Sequence, residues 1–365
     1  MDDIQDTVVR ADCVKWLRKW RQRHSGEPGF ADLIFADPPF NIGYKYDVYE
    51  DRKAYDEYYD WTRQWMSACR DVLKPDGTFW IAIGDEYAAE VRMIGRDLDL
   101  HLRNWVIWHY TFGQNTKKKF ARAHTHLFYF VADPRSFTFA DEAVRTLSDR
   151  QRVYADKRAS QKGKIPDDVW TEFPRVCGTF AEREGWHPCQ MPETLLARIV
   201  RACSRPGDMV LDPFAGSGTT LVAAKKLNRR YLGIEMSEKY VGNIERRLSQ
   251  TRRIAEIAEQ GDGWPAELQQ ELCGVYAEMG VTTARLYKHP HLLEAVAEHF
   301  HNRLRAGGLD LPEDSAGNGY GVGEVKAQLE LLRRQAKLPM LKVHDRGNLD
   351  RVTNRPKQEL FDDRS

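Results

Sequence analysis

The chain has 365 residues, 42% of them hydrophobic, and a formal charge of +1 at pH 7. That length holds two domains, or one domain with a large appendage, and the near-neutral balance excludes a globally basic nucleic-acid binder, so such a role must rest on local patches. Six scattered cysteines with no CxxC pair exclude a disulfide framework or a zinc finger and indicate free thiols in a reducing cytoplasm. In chain order, "MDDIQDTVVRADC" (1–13) is acidic and polar, unlike a secretory leader, and no apolar run long enough for a membrane span follows. "DLIFAD" (32–37), "GTFWIAIGD" (77–85) and "THLFYFVAD" (125–133) are short apolar stretches with the character of buried strands. Between the first two lies "AYDEYYDWTRQWMSACRDVL" (54–73), whose apolar spacing predicts a helix. Residues 141–185 are polar and rich in Arg and Lys, without a clear period. "MPETLLARIVRACS" (191–204) predicts a helix, "GDMVLDPFAGSGTTLVAAKKL" (207–227) a strand, a Gly-rich turn and a helix, and "RRYLGIEMS" (229–237) another strand. Strands alternating with helices predict an α/β fold with a parallel sheet. Beyond about residue 250 the pattern is helical and charged, interrupted by the Gly-rich "GGLDLPEDSAGNGYGVG" (307–323).

Two strand ends carry chemistry. "DLIFADPPFN" (32–41) stops on a carboxylate followed by two prolines and an aromatic. "VLDPFAGSGTT" (210–220) stops on Asp212 and runs through Phe214, Ala215, Gly216 and Gly218 into a helix starting near Thr219. Glycines at alternate positions allow a tight turn and close approach of a ligand. The spacing is neither GxGxxG nor a P-loop. Glu235 ends the next strand, where an acid can accept hydrogen bonds from both ribose hydroxyls of a nucleoside cofactor. Taken singly, a Gly-rich turn is often only a turn and an acid at a strand end is usually solvated; the conjunction at consecutive strands points to a cofactor site.

"DPPF" together with "DPFAGSGTT" resembles the amino-group DNA methyltransferases that use S-adenosylmethionine. The catalytic tetrapeptide precedes the cofactor glycines, as in the β-class, whose sheet is a circular permutation of the Rossmann-like methyltransferase sheet with helices on both faces. "HPCQMPE" (187–193) is similar to that family's HPTQKP-type motif, departing from it at Cys189 and Met191; the resemblance implies that His187, Pro188 and Gln190 help to hold the methionine end of the cofactor. "VVRADCVKWL" (8–17) matches the segment that places an acid, here Asp12, near the cofactor adenine. The resemblance covers roughly residues 5–250. It implies a catalytic domain over 1–250 with a target-recognition insertion at about 135–185, and a helical C-terminal extension over 251–365.

The chemistry suits the residues. An exocyclic amine is a poor nucleophile because its lone pair is delocalised into the ring, and acceptors aimed at its two N–H protons favour the tetrahedral form that attacks a methyl sulfonium. Asp37 supplies a carboxylate, Pro38 a carbonyl, Pro39 rigidity, and Phe40 a ring to stack on the base. No covalent enzyme intermediate is expected. A base inside a duplex must be flipped out to reach such a pocket. Two basic stretches are expected to hold the DNA. Lys117, Lys118, Lys119 and Arg122 belong to "QNTKKKFARAHTH" (114–126), and Arg152, Lys157, Arg158, Lys162 and Lys164 to "RTLSDRQRVYADKRASQKGK" (145–164). His124 and His126, at i, i+2 without a carboxylate, are not expected to bind metal. In the tail, "LQQELCGVYAEMGVTTARLYKHPHLLEAVAEHF" (268–300) is similar to a helix-turn-helix with Arg285 and Lys288 as contacts, or else is a helical bundle for packing or dimerisation. "VGEVKAQLELLRRQAKLPMLK" (322–342) is amphipathic.

The resulting expectation is a cytoplasmic, site-specific DNA methyltransferase acting on adenine N6 of double-stranded DNA, without a metal or a membrane. Cytosine N4 is the alternative; the family's N4 members more often carry Ser where Asp37 stands. Methylation of RNA or of a protein glutamine side chain is a further option, and a DNA-binding regulator with an inactive methyltransferase fold is the last reading. A homodimer and a cognate restriction enzyme are the further partners weighed.

Overall fold

The computed structural model describes residues 4–111, 116–160, 162–178, 182–257, 264–309, 320–339 and 341. Parts of several expected features lie outside the described residues: 1–3 of the N-terminal segment, 114–115 and 161 of the two basic stretches, 179–181 of the insertion, and 258–263, 310–319, 340 and 342–365 of the C-terminal extension.

In chain order the elements are β1 (Thr7–Arg10), α1 (Cys13–Arg23), β2 (Ala31–Ala36), α2 (Tyr55–Val72), β3 (Leu73–Ile83), α3 (Ala88–Asp97), β4 (His101–His109), β5 (His124–Val131) and α4 (Asp149–Arg152). There follow β6 (Val169–Trp170), α5 (Glu193–Cys203), β7 (Met209–Asp212), α6 (Thr219–Lys226), β8 (Arg230–Glu235), α7 (Glu238–Ser249), α8 (Ile254–Ile257), α9 (Ala266–Met279), α10 (Thr283–Lys288), α11 (Pro290–Ala306) and α12 (Val322–Arg334). The chain divides into two compact units, one comprising Met1–Val144, Asp167–Asp262 and Leu304–Asp310, the other Arg145–Pro166, Gly263–Arg303 and Leu311–Ser365.

The first unit holds an eight-stranded sheet in the order β1-β8-β7-β2-β3-β5-β4-β6. It is mixed, not parallel throughout as expected: β5 runs antiparallel to both β3 and β4. The reason is the connection. The described residues between β4 and β5, 110–111 and 116–123, form no helix, and only a parallel pair demands a crossover. Side-chain alternation along β3 assigns its two faces. Phe79 and Ile81 share a core with Leu17 of α1, Trp65 of α2 and Val91 of α3. Trp80 points the other way, and its indole N–H reaches Cys203 Sγ on α5 at 3.3 Å. Helices therefore cover both faces. In α2, Tyr58, Thr62, Trp65, Met66 and Cys69 are buried, spaced at the three and four residues that keep one helical stripe inward. β2 and β7, far apart in sequence, pair directly in parallel through Leu33↔Val210 and Ile34↔Leu211.

The second unit is helical among its described residues. α9 buries Leu268, Leu272, Val275, Tyr276 and Met279 and ends on Gly280 in the left-handed conformation (φ +64°). Thr282 then caps α10, its side chain accepting from Arg285 N. The expected helix break at Gly280 is present, but the helix that follows is only six residues long before Pro290 opens α11. Trp264 stacks on Phe300 with ring centroids 5.2 Å apart. Among the described residues no helix is long and apolar enough to cross a membrane.

Candidate active site

Five neighbouring parallel strands, β1, β8, β7, β2 and β3, each run into an acid at or just past the carboxyl end: Asp12, Glu235, Asp212, Asp37 and Asp85. In open α/β sheets this edge is where ligands bind. A cavity of 730 Å³ opens there, lined by Asp12, Asp37, Pro38, Pro39, Phe40, His187, Pro188, Gln190, Asp212, Phe214, Ala215, Gly216, Thr219 and Glu235 among others. The two motifs, far apart in sequence, thus share one crevice.

On the glycine side the turn is built from its own polar groups. Asp212 Oδ1 accepts from Phe214 N at 3.0 Å. Glu235 accepts from Gly216 N at 3.0 Å on one oxygen and from Ser237 N at 2.8 Å on the other. Gly216 has φ +51°, and a Cβ there would sit 3.1 Å from His187 Nε2. Gly218, which caps α6 at φ +74°, lies so close to α7 that a Cβ would meet Ile244 at 2.7 Å. Gly218 does not itself line the cavity; it sets the approach of α6. Phe214 is held edge-on by Trp61 and Trp65, with centroids 5.7 and 5.2 Å away. His187 Nδ1 lies 2.8 Å from the Cys189 carbonyl, an acceptor, so that nitrogen carries the proton. Burial pushes His187 down to about 4, so the ring is neutral with a bare Nε2.

Two residues on this side carry structural duties besides lining the cavity. Gln190 clamps its own segment, accepting from Glu184 N at 2.9 Å and donating to the Glu182 carbonyl at 2.6 Å. Asp12 caps α1, accepting from Lys15 N at 2.9 Å.

On the proline side the backbone is tied down by groups that the motif did not reveal. Tyr58 Oη donates to the Pro39 carbonyl at 2.6 Å. Asp51, only 2% exposed, gathers three backbone donors: Asn41 N at 2.7 Å, Ile42 N at 3.1 Å and Tyr44 N at 2.9 Å. Asn41 adopts φ +58° and donates to the Lys53 carbonyl and to Tyr87 Oη. The loop thus presents Tyr44, Tyr46 and Tyr49 to the cavity. Tyr46 lies 6.4 Å, ring to ring, from His187. Phe40 packs at the mouth beside Gly84, where a Cβ would come within 3.4 Å of its ring. The interleaved aromatics of "NIGYKYDVYED" were the available signal for this wall; Asp51 had none, since its partners are set by how the loop returns.

The electrostatics separate Asp37 from its neighbours. Among the described residues nothing donates a hydrogen bond to its carboxylate, and burial, followed by the charge of Asp212, pushes it up to about 7. Asp212 is also pushed up to about 7 by burial, moderated by hydrogen bonds from Thr220 and Phe214. Burial raises Glu235 as well, against the backbone donors that lower it. Among the described residues no basic side chain counters this upward push on Asp37 or Asp212.

The basic residues divide. Lys119 and Arg122 line the cavity, and Lys117 and Lys118 are exposed beside them. Arg122 is already engaged, 2.6 Å from Asp85 and in contact with Glu86. Arg152, Lys157, Arg158, Lys162 and Lys164 belong to the second unit. Arg175, not singled out from the sequence, also lines the cavity. His126 Nδ1 accepts from Trp105 Nε1 at 2.9 Å. Among the described residues there is no cluster of His, Cys, Asp or Glu suited to a metal ion.

Comparison with known proteins matches residues 31–246 to a family model described as DNA methylase. The Type II methyltransferase M.HpaI of Haemophilus parainfluenzae is 34% identical over 223 residues, spanning 61% of this chain and 69% of that protein. The DNA adenine methyltransferase YhdJ of Escherichia coli (strain K12) is 34% identical over 250 residues, spanning 66% of this chain and 82% of that protein. Among solved structures, PvuII DNA methyltransferase (cytosine-N4-specific) shares the fold with a TM-score of 0.50 at 19% identity, over 66% of this chain and 85% of that one.

Proposed function

Because this chain belongs to the DNA methylase family, we propose that it transfers a methyl group from S-adenosylmethionine to the N6 amino group of adenine in double-stranded DNA, at a specific site. The observation that carries this reading is the Asp37 carboxylate, without a donor among the described residues, in the cavity that the glycine turn also lines. The choice of adenine is supported by the 34% identity to a protein named as an adenine methyltransferase and by Asp at position 37.

The residues fit the cofactor. Glu235, with one backbone donor on each oxygen, retains acceptor capacity for a ribose. The space over Gly216 is left by the missing Cβ, and buried acids without a counter-cation favour a positively charged ligand. Asp12, Glu235, Phe214, Gly216 and His187 would hold it, with Ala215, Gly218 and Thr219 shaping the turn. When bound, its sulfonium supplies the electrophilic methyl group.

The chain's own residues do the rest. The target base is extruded from the duplex into the cavity. Its amino group donates one N–H to Asp37 and the other to the Pro38 carbonyl, which takes no donor among the described residues, whereas the Pro39 carbonyl is occupied by Tyr58. Both acceptors sit on a backbone that cannot easily relax, so their orientation is set before the base arrives. Phe40 stacks on the base. A cation beside Asp37 favours its ionised form, and the departing amine proton is accepted there or by water. Lys117, Lys118 and Lys119 are placed to meet DNA phosphates. The cytoplasm is the compartment proposed for this reaction, and a second copy of the chain and a cognate restriction enzyme are the further partners proposed.

Nucleoside mass spectrometry of duplex DNA incubated with the protein and isotopically labelled cofactor tests this directly. Labelled N6-methyldeoxyadenosine is expected. Labelled N4-methyldeoxycytidine would move the assignment to cytosine, and no labelled nucleoside at all would overturn it.

A further inference from the structure

The insertion Arg145–Pro166 falls in one compact unit with helices from the C-terminal part of the chain. Its neck is closed by Thr146 and Lys164, whose backbones exchange two hydrogen bonds of 2.8 Å. Gly163 makes this possible: at φ +67° a Cβ would sit 2.2 Å from the Thr146 carbonyl oxygen. Thr146 Oγ1 then donates to the Glu278 carbonyl of α9 at 3.1 Å. Inside the loop, Ser148 and Gln151 form a capping box at the start of α4. At its far end Arg285 of α10 donates to the Val153 carbonyl. The α9–α10 turn is close as well, since a Cβ on Gly280 would lie 3.4 Å from the Arg152 guanidinium. The segment is thus strapped to the tail at Thr146 and again at Arg152 and Val153.

This arrangement settles which charges are spoken for. The two acids of the loop are matched internally: Asp149 pairs with Arg152 at 2.5 Å, and Asp156 with Arg150 at 2.8 Å and Arg158 at 3.1 Å. Arg285, a candidate base contact in the helix-turn-helix reading, is used to hold Val153. Lys157 and Lys288 remain exposed. Lys288 lies three residues after Arg285, on the same side of α10. His289 follows it, its ring 5.9 Å from that of His291. Burial and then the electrostatic influence of Arg285, His291, Lys288 and Lys157 hold His289 below the ordinary histidine value. The Arg285–Val153 bond and the close approach of Gly280 to Arg152 bring these two stretches of chain together. Tyr154, 58% exposed, stands beside the strapped Val153.

We infer that Tyr154, Lys157, Lys288 and His289 form a single DNA-binding face, and that the C-terminal helices act by holding the insertion in place instead of reading DNA through α10 as an independent helix-turn-helix. The inference rests on the DNA methylase reading and identifies where the second unit meets that substrate. Lys157 and Lys288 each contact a phosphate. Arg285 is a positioning residue, acting through the loop that it holds.

The test uses the full chain and a fluorescent duplex of random sequence, with anisotropy followed across a salt series. Lys157→Gln and Lys288→Gln, both on the surface, should each lower the slope of log affinity against log salt by about 1, and by about 2 together. Cofactor affinity by calorimetry should stay unchanged. Arg285→Ala should weaken DNA binding and speed amide hydrogen exchange around Val153, and Arg285→Lys should restore part of both. Unchanged slopes for both lysine variants would overturn the face, and an effect from only one would overturn its composite character. A wild type that methylates DNA while the variants keep normal slopes would sink this inference alone. A wild type that methylates no DNA would sink the functional reading instead.

Discussion

Two adjacent parallel strands end in nearly the same words. β2 runs into Asp37-Pro38-Pro39-Phe40 and β7 into Asp212-Pro213-Phe214, and both acids are pushed by burial to about 7. Their employment differs. Asp212 is consumed by its own turn, accepting from Phe214 N and Thr220. Asp37 accepts from no described protein group, because its loop is organised by another acid, Asp51, which takes the backbone donors at 41, 42 and 44. The difference teaches that an identical local opening becomes a structural or a reactive carboxylate according to whether some other group has satisfied the backbone around it.

The sharpest way to break this comparison is to remove Asp37. Asp37→Ala deletes an acceptor aimed at the reacting amine and should lower kcat by at least about 10²–10³, measured by labelled methyl incorporation, with cofactor Kd by calorimetry nearly unchanged. Equal loss of cofactor binding would mean that Asp37 is as structural as Asp212. The converse lies in the glycine turn. Gly218→Ala forces a side chain into φ +74° and against Ile244, and should cost at least about 1–2 kcal/mol from the left-handed backbone alone, read as a lower Tm. Pro38→Ala on the other strand should leave Tm almost unmoved, since Tyr58 and Asp51 still hold that loop.

Protons offer a third handle. Asp37 and Asp212, both raised to about 7 by burial, are ordinary carboxyls near 4 when unfolded. Their contribution to stability is therefore full below about pH 4 and is lost as pH rises through about 7. The chemistry needs the opposite, an ionised Asp37. Tm of the cofactor-free protein should fall by several degrees between pH 5 and pH 8, assuming about 7 for both groups, and methyl transfer at low cofactor concentration should rise about tenfold between pH 6 and pH 8. Asp37→Asn should flatten much of the first trend. A wild-type Tm that is level across this range would show that Asp37 is solvated in the empty cavity.

Both strand ends were legible in the sequence because their information is local: an apolar run, an acid, then Pro or Gly chemistry that only a turn accommodates. The long-range facts were not. β4 escaped notice because "HLRNWVIWH" leaves His101, Arg103, Asn104 and Trp105 exposed, so no clean alternation marks it. The antiparallel direction of β5 depends on how the chain returns from β4 and not on the strand itself. The union of the insertion with the tail rests on pairs such as Thr146–Glu278 and Val153–Arg285, which no window of sequence contains. For the same reason the run of basic residues at 117–122 read as uniformly available.

Arg122 shows why it is not, and gives the smallest predicted effect. β3 is the next strand in the row, and of its end, Gly84-Asp85-Glu86, Gly84 and Glu86 line the cavity. Unlike Asp37, these acids have a counter-charge. Burial tends to raise Asp85, but its hydrogen bond with Glu86 and the charge of Arg122 outweigh that and hold it below the usual carboxylate value. A guanidinium committed to two carboxylates has little to give a phosphate, and partly exposed pairs of this kind contribute only about 0–1 kcal/mol. Arg122→Gln should therefore change DNA affinity by less than about threefold and leave the salt slope unaltered, whereas Lys119→Gln, at the same edge without such partners among the described residues, should lower that slope by about 1. A loss of slope in Arg122→Gln would mean that DNA displaces Asp85 and Glu86, and that this strand end too exchanges its internal partner for the substrate.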